Sequence, residues 1–209
     1  MKSGWRFKML RGAMLLPKKN NFNLIHKMKD LALHILDIVH NAISAKATLI
    51  GVDIRESEED DVLALTVTDN GRGIPADMLA TVTDPYTTTR TSRKVGMGLP
   101  LLRQNAEQSG GGISVESEVG VGTTVKALFG LNHIDRPPLG EISGVIVDLA
   151  ASRPEVEFVY SHTTAVDSFS FDTREVKEAL DGMPMADAKM RRYLISMIDE
   201  NLEEIKATR

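Results

Sequence analysis

Three groups of residues in this chain have the types and spacing for chemistry. The first is the stretch from Thr83 to Leu102, TDPYTTTRTSRKVGMGLPLL, which begins as a hydroxyl-rich, basic loop. After Asp84 it holds no acid, and it carries Arg90, Arg93 and Lys94 before passing through Gly96-Met97-Gly98 into an apolar run led by Leu99, Leu101 and Leu102. Close-set glycines that run into a helix N-terminus make an anion site. The backbone can approach closely, and the first helical N–H groups lack partners within the helix. Three cations suit a polyphosphate better than a lone carboxylate. A plain glycine loop before a buried helix would have the same spelling, because short glycine motifs are common. The second group is Asp69-Asn70-Gly71-Arg72-Gly73, which ends an alternating apolar stretch. A carboxylate there stands at a sheet end beside open backbone and can accept hydrogen bonds from an exocyclic amine. A turn aspartate is the plain alternative. The third is Asp37 and Asn41, four apart and so on one face of any helix that contains them.

The elements that must position these groups can be read from periodicity. Leu31, Ile35, Ile38, Ala42 and Ala45 recur at steps of three and four, which predicts a helix from about Lys29 to Lys46. Asp37 and Asn41 border its apolar stripe. His34 lies one turn earlier on that side, and it and His40 read as surface or boundary histidines. Strands follow at Leu49 to Arg55 and Val62 to Thr68, around an acidic turn. A short helix, Ala76 to Val82, leads into the loop. A second amphipathic helix, Leu99 to Ser109, ends at Gly110-Gly111-Gly112. Ile113 to Glu118 and Thr123 to Phe129 form a hairpin around Val119-Gly120-Val121-Gly122. This order gives an α/β (α+β) fold, a two-layer sandwich of a mixed or antiparallel sheet with helices on one face. Residues 130–139, with Pro137-Pro138, break the pattern and read as a linker. Beyond it come a helix from about Gly140 to Ala151 and strands at Val156 to His162 and Val166 to Phe171. Helices at Thr173 to Leu180 and Ala186 to Lys206 close the chain. The expected organisation is a basic, disordered extension over 1–28, a domain over 29–130, and a small α/β C-terminal extension over 131–209. Met28 is a candidate start.

Composition narrows the function classes. A chain of 209 residues with 42% hydrophobic and 26% charged residues is that of a globular protein. No apolar run approaches the roughly 20 residues that span a bilayer, so no membrane is expected. There is no cysteine, which rules out thiolate chemistry and suits a cytoplasmic location. The net charge of -4 is uneven: residues 1–29 carry eight cations and no acid, which leaves -12 for the rest. An acidic body is a poor nucleic-acid binder, so no nucleic acid is expected.

Four stretches therefore stand in a fixed order: Asp37-x-x-x-Asn41, Asp69-x-Gly71-x-Gly73, Gly96-x-Gly98, and Gly120-x-Gly122-Thr123. Together they resemble the ATP-binding domain shared by DNA gyrase, the ninety-kilodalton heat-shock chaperones, sensor histidine kinases and MutL, the Bergerat or GHKL fold. The resemblance covers residues 29–130, and Asp84-Pro85-Tyr86 followed by Thr87-Thr88-Thr89-Arg90 is similar to the lid start of sensor kinases. It implies ATP and Mg²⁺ as ligands. Asn41 matches the residue that holds Mg²⁺. Asp37 matches the carboxylate that orients or deprotonates the attacking water, where hydrolysing branches usually have Glu. Asp69 matches the acceptor of the adenine amino group, Gly71 and Gly73 shape that pocket, and Thr123 matches the hydroxyl beside it. Gly96, Gly98 and Leu99 match the phosphate-facing lid end, with Arg90 and Lys94 as electrostatic candidates for phosphate contacts.

Departures from the family limit the reading. The residues before the domain contain no recognisable phosphoacceptor motif, so this is not expected to be a complete autophosphorylating histidine kinase. A transducer domain like that of gyrase and MutL is not expected, and anti-sigma-factor serine kinases lack an appendage like 131–209. From Met28 onward the chain also resembles small stand-alone ATP-binding proteins of anaerobic bacteria, whose genes often lie near hydrogenase or electron-bifurcating dehydrogenase subunits. The partners to be expected are ATP, a protein partner from a hydrogenase or redox-enzyme system, and a second copy of the chain. Three functions stay open: an enzyme that hydrolyses ATP or phosphorylates a partner in a regulatory role, a non-hydrolysing ATP-sensing module that signals through lid closure, and an interaction protein with a decayed pocket.

Overall fold

A computed structural model describes residues 30–79, 82–83 and 98–208. The elements in chain order are α1 (Leu31–Ser44), β1 (Leu49–Ser57), β2 (Val62–Asp69), α2 (Ala76–Leu79), α3 (Gly98–Gln108), β3 (Gly112–Glu118), β4 (Gly122–Gly130), α4 (Ile142–Ser152), β5 (Glu157–Thr163), β6 (Ser168–Asp172), α5 (Thr173–Ala179) and α6 (Ala188–Glu204). The six strands form one mixed sheet in the order β3-β4-β2-β1-β5-β6. All pairs are antiparallel except β1–β5, which is parallel. The expected α/β sandwich is therefore present, and residues beyond the Pro137-Pro138 turn extend the same sheet across β1.

Alternation builds the core. Ile50, Val52 and Ile54 of β1 face the same way as Leu63, Leu65 and Val67 of β2, Val125, Ala127 and Phe129 of β4, and Phe158 and Tyr160 of β5, and all are buried. Leu31, Ile35, Ile38, Val39 and Ala42 of α1 join this cluster, with Leu102 and Ala106 of α3 and Ile142, Ile146, Val147, Leu149 and Ala150 of α4. The alternate row, such as Gly51, Thr68 and Thr124, is half-buried or exposed. Thus α1, α3 and α4 cover one face, and α6 packs on α4.

Two local readings are corrected. The segment read as a linker is part of the fold: Leu131 and Leu139 are buried, and the Pro138 and Leu139 carbonyls accept from the Leu31 and Ala32 amides at 2.9 and 3.0 Å. These bonds satisfy first-turn donors of α1, beside the Asp30 side chain that accepts from Leu33. His34 is not a boundary residue but is fully buried, and it faces Asn105 of α3 with Nε2 and Nδ2 2.8 Å apart. Burial lowers its pKa to about 4, against a raising influence from Asp30, so the ring is neutral near pH 7. His40 is exposed, as expected.

Candidate functional site

The inner face of the sheet changes character at one end. Ile50 pairs with Asp69, Asp69 with Thr123, and Thr123 with Ser117. Directly opposed residues share a face, so three polar side chains continue the row that Ile50 begins. The loop after Asp69 is clamped from three sides. The Asn70 side chain accepts from the Thr48 and Leu49 amides at 2.8 and 2.9 Å. The Arg72 amide donates to the Ala45 carbonyl at the end of α1, and the Gly120 amide donates to the Arg72 carbonyl, both at 2.9 Å. The Ile74 amide donates to Ser117 Oγ at 2.8 Å. Gly73 meets two demands at once: its φ is 72°, and a Cβ there would overlap the Glu118 carbonyl.

Asp69 accepts from the Gly71 amide at 2.8 Å. Desolvation raises its pKa, opposed by the Gly71 and Thr123 amide hydrogen bonds. Ser117 Oγ is the hub of the neighbouring network. It accepts from Ile74, donates to the Gly122 carbonyl at 2.8 Å, and lies 2.9 Å from Thr123 Oγ1. The sequence reading did not single out Ser117. The signal was available: Ile113, Val115 and Ser117 alternate on the inward face of β3.

Elsewhere along α1, Asp37 is presented toward the start of α3. Among the described residues, Asp37 Oδ2 is buried without a hydrogen-bond partner. A Cβ on Gly98, the first residue of α3, would overlap that oxygen. Burial raises the Asp37 pKa, opposed by the charge of His40 one turn on. Asn41, also one turn on, is exposed, and Leu99 is partly buried. Pro100 falls in the first turn of α3, where a missing N–H costs nothing. The packing thus brings Asp37 against Gly98, and Asp69 against Gly71 and Thr123, with α1 passing from one group to the other through Ala45. Arg90, Lys94 and Gly96 lie outside the described residues. A groove of about 520 Å³ between α1, α4 and the start of α6, lined by Leu36, His40, Asp148 and Arg191, holds none of the candidate site residues.

A half-buried carboxyl at the end of a sheet, a second one against a helix start, and glycines at the close approaches are gathered around the two ends of this part of the fold. Residues 27–133 match the family described as histidine kinase-, DNA gyrase B-, and HSP90-like ATPase, and the chain belongs to that family. It carries the family's ATP-binding domain. Over 106 residues it is 34% identical to the sensor histidine kinase ZraS of Escherichia coli strain K12, which covers 51% of this chain and 23% of that protein. Over 73 residues it is 42% identical to the sensor kinase CckA of Brucella abortus, covering 34% of this chain and 8% of that protein. The chain spans less than a quarter of the length of either relative. Among solved structures, the MutL ATPase domain of Aquifex aeolicus complexed with ADP aligns with a TM-score of 0.46 and 20% identity, over 73% of this chain and 69% of that one. Among the described residues no helix is long and apolar enough to cross a membrane.

Proposed function

We propose that the chain binds ATP with Mg²⁺ in a cleft between Asp37 and Asp69 and either hydrolyses it or passes the γ-phosphoryl group to a protein partner, in a regulatory role. The observation that carries the reading is the unpartnered, buried Asp37 Oδ2 against the N-terminus of α3. An orphaned carboxylate oxygen is costly unless a ligand uses it.

In this reading Asp69 accepts from the exocyclic amine of adenine, Gly71 and Gly73 shape the pocket, and Thr123 completes its polar edge. Gly98 and Leu99 bring the first amides of α3 to the phosphates, with Arg90, Lys94 and Gly96 of the lid adding charge and backbone donors. Asn41 supplies an amide oxygen to Mg²⁺, which accepts a donor set of one side chain, waters and phosphate oxygens. The ion neutralises charge on the phosphates when bound. Asp37 orients the attacking water or hydroxyl and takes its proton as the new P–O bond forms and the bond to ADP breaks. Residues 29–130 carry this chemistry, and the acidic 131–209 region conveys its state to a partner, with a hydrogenase or redox-enzyme system or a second copy as candidates.

Calorimetry of Mg²⁺-dependent ATP binding, on the wild type and Asp69→Asn, tests the reading. Micromolar-range binding that the variant loses by a factor of roughly 10 or more supports it. No binding by either protein rejects it. The second reading, ATP sensing without turnover, draws on Asp37 itself, whose side chain is one methylene shorter than Glu. Phosphate release with and without candidate partners separates the two.

A further inference from the structure

The hydrogen bonds around Ser117 leave a single assignment of protons. Its hydroxyl has one proton and two lone pairs. The proton goes to the Gly122 carbonyl, 2.8 Å away. One lone pair takes the Ile74 amide proton at 2.8 Å. The remaining lone pair faces Thr123 Oγ1 at 2.9 Å; either hydroxyl could donate there by distance alone, and the Ser117 bond to the Gly122 carbonyl assigns the donation to Thr123. Its own proton is then committed, and Thr123 can offer only lone pairs to anything else it meets. Asp69, its cross-strand partner, is likewise an acceptor when ionised.

We infer that Ser117 is a specificity-determining positioning residue: by consuming the Thr123 proton it makes the base end of the cleft acceptor-only. Such an edge fits a purine that presents an exocyclic amine, and it repels one that presents a carbonyl oxygen at the same place. Discrimination between amino and oxo purines would otherwise rest on Asp69 alone, since a freely rotating threonine hydroxyl serves either as donor or acceptor. The inference rests on the proposed binding of ATP in this cleft. Ser117 acts through Thr123 and need not touch the nucleotide.

The test compares ATP and inosine triphosphate, which carries a carbonyl where ATP carries the amine. Affinities are measured by calorimetry with Mg²⁺ for the wild type, Ser117→Ala and Ser117→Thr. The wild type should prefer ATP by roughly tenfold or more. In Ser117→Ala the Thr123 hydroxyl is released and can donate to the carbonyl. ATP binding should fall a few-fold while inosine triphosphate binding holds or rises, so that the preference shrinks by roughly three- to tenfold. Ser117→Thr keeps the hydroxyl on a strand position that accepts a β-branched residue, and it should keep the preference. An equal loss for both nucleotides in Ser117→Ala means a merely structural role and overturns the inference. So does a Ser117→Thr protein that loses the preference. If Ser117→Ala does not fold, Thr123→Val replaces it, and an unchanged preference in that protein overturns the inference too. A wild type that binds neither nucleotide overturns the proposed function itself, which is a different outcome.

Discussion

At the scale of single residues, the two acids of the cleft work against stability. The Asp37 pKa is raised above 3.8 in the folded state, by burial first and against the pull of His40. A carboxyl with a raised folded-state pKa contributes fully below its unfolded value and loses that contribution as pH rises through the folded value. Ionised Asp37 is therefore a burden on the ligand-free protein at neutral pH. Asp37→Asn should raise the melting temperature at pH 7 by roughly 3 °C, for about 1 kcal/mol of relieved desolvation. The gain should vanish below about pH 4, where the wild-type group is protonated. The same variant should retain ATP binding and lose phosphate release. Turnover that survives the change removes Asp37 from the role of base. Asp37 and Asn41 were legible because a spacing of four is local information. The orphan state of Oδ2 was not, because it depends on α3, more than fifty residues away. Ser117 lay between, on a readable face but with a role set by partners on two other segments.

Elements set the distances among these residues. Gly98 lets α3 start against Asp37, and His34 and Asn105 fix the same pair of helices further along. Gly98→Ala would favour the helix by up to about 1 kcal/mol through propensity. It would also push the Asp37 carboxylate aside. The expected result is a folded protein, by circular dichroism and thermal melting, whose phosphate release falls as far as that of Asp37→Asn. Release at the wild-type rate would mean that the carboxylate need not stand against α3. Helix and hairpin positions followed from periods of 3.6 and 2, with ends shifted by up to three residues; the first helix runs from Leu31 to Ser44, inside the expected span. The segment around Pro137-Pro138 was misread for a physical reason. Its anchoring consists of carbonyls that accept from the amides of α1, and backbone pairing leaves no side-chain signature.

Across the whole molecule, the C-terminal half supplies structure to the nucleotide half. Tyr160, Phe158 and Phe171 are among the largest fully buried side chains, and β5 pairs with β1 along its length. Burying three aromatic side chains is worth roughly 5–9 kcal/mol, which is comparable to the stability of a typical domain. A buried chain of polar groups adds to the joint. Tyr160 Oη lies 2.8 Å from His162 Nδ1, and His162 Nε2 lies 2.8 Å from Glu56 Oε1, which also accepts from the Thr208 amide. Burial would raise the Glu56 pKa, but the hydrogen bonds from His162 and Thr208 outweigh it and hold the carboxyl below its usual value. A chain truncated after Gly130 is therefore expected to fail to fold, as read by the loss of a cooperative melting transition. A truncated protein that melts cooperatively and binds ATP would show that residues 29–130 stand alone. None of this joint was readable from local pattern, because a parallel pairing between remote strands is specified by neither strand separately.

The parallel pairing of β1 with β5 also sets a schedule for synthesis. Asp53 of β1 and Ser161 of β5, which share a hydrogen bond, are 108 residues apart. At translation rates of 5–20 residues per second, the nascent β1 edge waits about 5–20 s for its partner. Through that interval it offers unpaired amides and carbonyls to any neighbouring chain. The ribosome-bound intermediate, rather than the finished protein, is thus where this sequence is most exposed to misassembly and most in need of a chaperone.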